Sequence, residues 1–453
     1  MKKWLGIVLI FAAVLAAVPV GAQDDLPFPV GEGPFHWESL EPFEAMDFSG
    51  QEVSVMTIWS GAETELIENV FAYFEMATGA DVVHAGSDSL EQQIVIDCGA
   101  GSPPDIVGFY QPGLAANMAA SGCLVPLDDS LRQYVLENYA AGQSWVDLGT
   151  YPDADGNEQF FGLNYRADVK SLIWYVPDEF ESAGYAVPTT MEELLALSEQ
   201  IAADGATPWC IGLGAGDATG WPATDWVENL VLRTQPPEVF DGWVTNEIPF
   251  NDERIVNAIE LFGTFAKQEG WVNGGVAAVA ATDFRDSPAG LFTVPPECYL
   301  HAQGSFTPVF FPEGTELGVD ADFFYFPPYA ELDLGRPVLG SANFFTRTNE
   351  SEVGAALLQY MTTPLAHELW MAQGGFLTSH TGVNPEAYPT DSFRRMADIL
   401  LQATTFRIDG SDQMPGAIGA GSFWTGMVNF VNGDSAQDVA DAIQASWDAI
   451  KEK

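Results

Sequence analysis

The chain has 453 residues, with 16 basic against 64 acidic side chains and a formal net charge of -48. That balance excludes nucleic acid as a partner, since phosphate binding needs clustered Lys and Arg, and it excludes docking on anionic lipid. With 47% hydrophobic and 18% charged residues, a core large enough for two domains is within reach, and the acidity reads as a solvated surface suited to a salty habitat.

Met1-Lys2-Lys3, an apolar run from Trp4 to Val18 and then Val20-Gly21-Ala22 predict a secretory signal peptide over 1–22, cleaved after Ala22. No Cys follows the cleavage site, so lipid attachment is not signalled, and no later stretch reaches the ~20 apolar residues a membrane span needs. The mature protein is expected to be exported and soluble, periplasmic or extracellular. Residues 23–49, rich in Pro, acid and aromatics, read as an extended leader. From there strands and helices alternate. A strand is predicted over Glu52–Ile58, a helix over Glu63–Thr78 stopped by Gly79, and a strand over Asp81–His84. A helix over Ser89–Asp97, a strand over Asp105–Phe109 and a helix over Pro112–Ser121 follow. This order predicts parallel βαβ units and an α/β fold.

Tyr151-Pro152-Asp153-Ala154-Asp155-Gly156 predicts a hairpin turn. The Asp153-x-Asp155-Gly156 fragment resembles the start of a calcium loop, but the later ligands are missing, so a plain turn is expected. Thr190 with Glu193 forms a capping box opening a helix over Met191–Asp204. Further helices are predicted over Asp252–Lys267, Glu352–Thr362, Ser392–Thr404 and Ala436–Lys451.

No G-x-x-x-x-G-K-[ST] loop, G-x-S-x-G elbow or H-E-x-x-H pair occurs in the sequence. The five histidines are scattered, so neither a metal nor a cofactor is expected. Cys98, Cys123, Cys210 and Cys298 permit disulfides in an exported chain, with three possible pairings, or else remain buried thiols. None has the C-x-x-C spacing of a zinc site. The chemistry concentrates instead in two clusters. Asp409-Gly410-Ser411-Asp412 leads to Phe423-Trp424, and Thr219-Gly220-Trp221-Pro222-Ala223-Thr224-Asp225-Trp226 repeats the same ingredients. Carboxylates and hydroxyls that accept from sugar hydroxyls lie there beside indoles that stack on sugar rings. Trp59 sits in a comparable loop-like context. Core packing is the competing reading for each of these tryptophans.

The two clusters, together with Pro103-Pro104-Asp105-Ile106, Asp168-Val169-Lys170-Ser171 and Val294-Pro295-Pro296-Glu297-Cys298, resemble the extracellular solute-binding proteins of bacterial ABC sugar importers. The likeness is nearest to the α-glucoside-binding branch and more distant to maltose-binding protein. The resemblance implies a type II periplasmic-binding-protein-like fold, two α/β lobes joined by a multi-crossing hinge, with ligand in the cleft. The hinge crossings are expected near Asn164–Arg166, Phe326–Pro328 and Gly374–Ser379. The N-terminal lobe would span 50–164 plus 328–374, and the C-terminal lobe 165–327 plus 375–453. Pairing Cys98 with Cys123 and Cys210 with Cys298 is then preferred, since each bridge stays within one lobe.

By the same resemblance Trp424, Phe109 and Trp221 would wall the sugar. Asp168, Asp225, Asp409 and Asp412 would accept from its hydroxyls, with Lys170, Gln111, Thr224 and Ser411 adding donors or bridges; Lys170 reads equally as a hinge ion pair that never touches ligand, and the competing reading of Asp412 is an Asx-type turn or helix cap. Trp59, Ser60, Glu63 and Asp88 would complete the first lobe's side. Ala218 and Glu297 stand where the distant relative differs, and Glu297 is kept as a ligand-binding candidate. Asp105 is expected to be structural. The resemblance implies no catalysis, a small carbohydrate ligand, permease subunits as partners and a monomer. The rival readings are a secreted glycoside hydrolase, which needs two carboxylates roughly 5–9 Å apart, and a binding protein of this fold for a non-sugar solute.

Overall fold

The computed structural model describes residues 26–140 and 142–451, so the predicted signal peptide over 1–22 lies outside the described residues. In chain order the strands are β1 (Glu52–Thr57), β2 (Asp81–Gly86), β3 (Ile106–Phe109), β4 (Thr150–Pro152), β5 (Glu158–Phe160) and β6 (Leu163–Val169). They continue with β7 (Leu172–Tyr175), β8 (His301–Ala302), β9 (Asp322–Tyr325), β10 (Pro337–Arg347) and β11 (Thr405–Ile408). β1 pairs in parallel with β2 and β3. The helices Ala62–Thr78, Leu90–Ala100 and Pro112–Ala120 follow these three strands in turn, which is the predicted βαβ alternation. Gly79, at φ +74°, ends the first of these helices with its N–H on the Glu75 carbonyl.

β10 is buried along its whole length, Ser341, Asn343, Thr346 and Arg347 included, so burial does not alternate along it. Pro337–Gly340 runs parallel to β11, and Phe344–Arg347 runs antiparallel to β3. β6 lies antiparallel to β10, with a register shift between Ala342 and Phe344. Beside them the chain passes again at Leu377, whose carbonyl accepts from Ala167 N–H at 2.9 Å. Phe326 N–H is bonded to Ser171 at 2.9 Å, and the Arg233 guanidinium grips the Phe326 carbonyl at 2.8 and 3.0 Å.

The second lobe holds the antiparallel sheet β8-β7-β9 and a core around Trp209, Trp226 and Trp243. The first lobe's core gathers Trp59, Tyr165, Phe345 and Trp370. Cys98–Cys123 and Cys210–Cys298 are both bridged, at Cα separations of 5.6 and 5.5 Å.

Residues 26–49 are not simply extended. A 3-10 turn over Trp37–Leu40 and a helical turn over Glu41–Glu44 seat Phe43 edge-on against Phe74 and Tyr360. The aromatics of this segment bury against the first lobe, because an exposed extended strand would leave them in water. At the hairpin, Asp153 Oδ1 accepts from the N–H groups of Asp155 and Asn157, both at 2.9 Å. The carboxylate is thus spent on its own turn. Thr190 caps its helix through Glu193 N–H at 3.2 Å. The Glu193 carboxylate reaches back to Thr189 N–H at 2.8 Å, one residue short of the reciprocal bond of a full capping box.

Candidate functional site

A cavity of about 90 Å³ lies between the lobes, walled by residues of both. Its deep wall is made by β6. Strand alternation aims Arg166, Asp168 and, just past the strand end, Lys170 the same way. Arg166 donates to Glu63 Oε1 at 2.9 Å and to Asp168 Oδ1 at 3.1 Å, and its guanidinium lies 5.0 Å from the Trp370 ring centre. Burial opposes its charge, but Asp168 and Glu63 hold its pKa above the ordinary arginine value. Asp168 also accepts from Tyr110 Oη at 3.2 Å and Ser341 Oγ at 3.4 Å. Burial raises the Glu63 pKa despite the neighbouring Arg166.

On the second-lobe side, Lys170 Nζ donates to Asp225 Oδ1 at 2.8 Å and Asp409 Oδ2 at 2.6 Å. It also sits 5.1 Å from the Trp221 ring centre. Burial works against the ammonium, yet Asp225 and Asp409 keep its pKa well above the ordinary lysine value. Asp409 stays ionised at low pH because Lys170 outweighs its burial, whereas burial dominates at Asp225 and raises it. Asp409 Oδ1 accepts from Ser411 Oγ at 2.7 Å and Asp412 N–H at 3.2 Å, capping the short helix Gly410–Gln413. Glu228 clamps the same turn from below, accepting Gly410 N–H at 2.6 Å and Ser411 N–H at 2.9 Å.

Two indoles face this acid turn. Trp221 opens the helix Trp221–Thr234. Trp424 opens the helix Trp424–Asn432, immediately after a π-helical segment over Ala417–Phe423. Such segments shift the helical phase and re-aim the side chain that follows. Gly220 lets the two meet. It has φ +120°, and a Cβ there would lie 2.4 Å from the Trp424 carbonyl oxygen, so glycine alone suits both the backbone angle and the space.

The mouth is crossed by Arg285. It donates to Asp88 Oδ1 at 2.6 Å and to Ser60 Oγ at 3.1 Å, and stacks 4.2 Å from the Phe284 ring centre. Ser89 Oγ reaches Asp217 at 2.6 Å beside it. Both contacts join first-lobe to second-lobe residues.

The cavity wall thus contains Trp59, Glu63, Asp88, Gln111, Asp168, Lys170, Trp221, Asp409, Asp412 and Trp424 from the expected set. Four more stand behind it. Asp225 holds Lys170, and Thr224 bridges the Trp221 carbonyl at 2.9 Å to Ser411 Oγ at 3.3 Å. Ser60 supports Asp88 at 3.2 Å. Two lie elsewhere. Phe109 is fully buried with Leu90, Ile94 and Leu114, because β3 alternation turns it inward, and Tyr110 takes the cleft position. Glu297 is exposed on the surface and accepts from Asn273 Nδ2 at 3.1 Å. Asp105 ties β1 to β3 through Ser54 at 2.7 and 2.8 Å, a structural role. Sequence reasoning missed Glu91, Tyr110, Arg166, Phe284, Arg285 and Phe306 in the wall. Only Arg166 carried a signal, as a residue of the hinge crossing expected near Asn164–Arg166, two before Asp168.

The model of the family "Bacterial extracellular solute-binding protein" matches residues 60–364. The chain is 56% identical over 430 residues to the alpha-glucosides-binding periplasmic protein AglE of Rhizobium meliloti, covering 94% of each chain. It is 40% identical to the osmoprotective compounds-binding protein GgtB of Synechocystis, over 88% of this chain and 93% of that one. A solved chitin oligosaccharide binding protein matches with a TM-score of 0.74 at 18% identity, over 89% of this chain and 99% of that chain. These relatives bind solutes and are not enzymes, and the chain belongs to the bacterial extracellular solute-binding protein family.

Proposed function

We propose that this protein captures an α-glucoside, a disaccharide or small oligosaccharide, between its lobes and delivers it to the permease of an ABC importer. The observation that carries this reading is the pairing of Trp221 and Trp424 in one interlobe cavity with carboxylates already oriented by buried cations. Indole faces suit the apolar faces of pyranose rings, and fixed acceptors suit their hydroxyls. The extended likeness to AglE supports the linkage class. Trp424, Trp221 and Tyr110 wall the ring; Asp168, Asp412, Gln111 and Glu63 take its hydroxyls; Asp88 and Arg285 close over it. The lobes are 50–164 with the part of the chain from the middle of β10 to Gly374, and 165 to the middle of β10 with 375–451; residues 26–49 pack against the first. The protein acts as a monomer, exported by a signal peptide that is removed, and works outside the cytoplasmic membrane; among the described residues no helix is long and apolar enough to cross one.

Calorimetric titration of the mature protein with maltose, trehalose, sucrose and glucose tests this. Saturable binding of at least one α-glucoside, recovered unaltered, is expected. No binding across the panel rejects the α-glucoside assignment, and cleavage products would favour a hydrolase instead.

A further inference from the structure

The cavity wall carries six carboxylates, Glu63, Asp88, Glu91, Asp168, Asp409 and Asp412, against three cations. Each cation is already engaged: Arg166 with Glu63 and Asp168, Lys170 with Asp225 and Asp409, Arg285 with Asp88. Glu91 and Asp412 are left without a cation within ion-pair reach among the described residues. Glu91 comes from the first lobe, on the helix Leu90–Ala100, and Asp412 from the second, on the turn Gly410–Gln413. They are 6% and 5% exposed. Among the described residues, Glu91 Oε2 and the neighbouring Gln111 Oε1 have no hydrogen-bond partner, so this corner of the wall offers acceptors and no free donor charge. Burial pushes the Glu91 pKa up to about 7 and raises that of Asp412, with Asp409 adding to the latter.

We propose that Glu91 and Asp412, with Gln111 beside them, form a charge filter that refuses anionic sugars and favours a glycoside bearing a protonated amine over its neutral counterpart. This rests on the reading of the cleft as an α-glucoside site. Above about pH 7, where Glu91 is ionised, a phosphate or carboxylate drawn from water into this corner meets unpaired like charge, and the three cations that could neutralise it are committed elsewhere. A neutral hydroxyl donates once to such a corner. An ammonium donates three times and supplies the missing positive charge. The filter is built from both lobes, so it acts on the closed form.

The test is calorimetry at about pH 8, above the raised Glu91 value, on the mature protein. It uses the best-bound of maltose, trehalose and sucrose, its 6-phosphate, and its analogue with one hydroxyl replaced by an amine. The phosphate is expected to bind at least about a hundredfold more weakly than the neutral sugar, since like-charge juxtaposition in an interface is strongly unfavourable. The amine is expected to bind more tightly. The paired substitution Glu91→Gln and Asp412→Asn should shrink the rejection about tenfold or more and abolish the amine's advantage. Each single substitution, checked for folding by circular dichroism, should do part of this. High salt should leave the rejection in place, because buried charges are screened far less than the -48 of the whole chain. Equal binding of sugar and phosphate overturns the filter alone. Rejection that vanishes with salt and ignores both substitutions assigns it to the overall charge and also overturns the filter. Failure of every neutral sugar overturns the α-glucoside reading, and the filter with it.

Discussion

Lys170 holds the second-lobe half of the site together. Its ammonium joins Asp225 on one helix to Asp409 on the acid turn, and Asp409 in turn orders Ser411 and Asp412. Lys170→Met would strand two buried carboxylates and is expected to cost about 3–5 kcal/mol of stability, read by urea unfolding; a loss below about 1 kcal/mol would show the triad to be replaceable. Trp424 is different, because its indole lines the cavity and holds no charge network together. Trp424→Ala removes an indole face worth about 1.5–3 kcal/mol of burial and should weaken sugar binding about tenfold to a hundredfold, checked by calorimetry. Unchanged affinity would place the sugar elsewhere. At this scale the sequence was legible only in part. Asp168, Lys170, Asp409 and Trp424 stood in motifs. The Phe109 expectation missed by one residue, and in a strand that one step moves a side chain from cleft to core. Arg285 had no motif, since only closure of the lobes brings it to Asp88.

Among elements, the helix Trp221–Thr234 shows why a pattern fails. Nearly every residue after Trp221 is buried, the polar Asp225, Glu228, Asn229 and Arg233 included, so burial there does not follow polarity, and Gly220-Trp221-Pro222 reads as a loop. Yet Pro222 in its first turn is where proline suits a helix start. Helices with one wet face, such as Ala62–Thr78 and Ala436–Lys451, were legible to within a residue or so. β10 was missed for the same reason as Trp221–Thr234, being buried on both faces. The contact between Gly220 and the Trp424 backbone makes an element-scale prediction. Gly220→Ala should lower stability by about 2 kcal/mol or more and weaken binding alongside, measured by thermal melting and titration. A variant that melts and binds like the parent would mean the two indoles are positioned by something else.

For the whole molecule, charge and buried histidines set the pH response. His367 and His380 lie beside the passage at Leu377. Thr378 bonds His367 at 2.7 Å, and Tyr134 bonds His380 at 3.0 Å. Burial lowers both pKa values, that of His380 to about 4. Unfolding therefore takes up protons between the ordinary histidine value of about 6.5 and that lower value, and the stability these groups contribute is present above about pH 6.5 and lost as pH falls towards 4. Glu91 and Asp412 act oppositely. Their raised pKa values mean the folded state holds extra protons, so their share of stability falls as pH rises from about 4.5 towards 7. Opposed slopes predict a shallow stability profile across mildly acid pH. His380→Gln should tilt it towards greater stability on acidification, by an amount on the order of 3 kcal/mol at most, measured as denaturant midpoint against pH. An unchanged profile would remove His380 from the balance. The two-lobe architecture itself was legible from the ordered motifs and the βα alternation. The pairing of β10 with β3, β6 and β11 was not, because it joins strands far apart in sequence.

The most direct measurement is a crystal structure of the mature protein grown with whichever α-glucoside titrates. A pyranose ring is predicted against Trp424 and Trp221, with hydroxyls within hydrogen-bond distance of Asp168 and Asp412 and Arg285 closed on Asp88. Sugar bound outside this cleft, or a cleft that holds it without contact to either indole, would contradict the assignment.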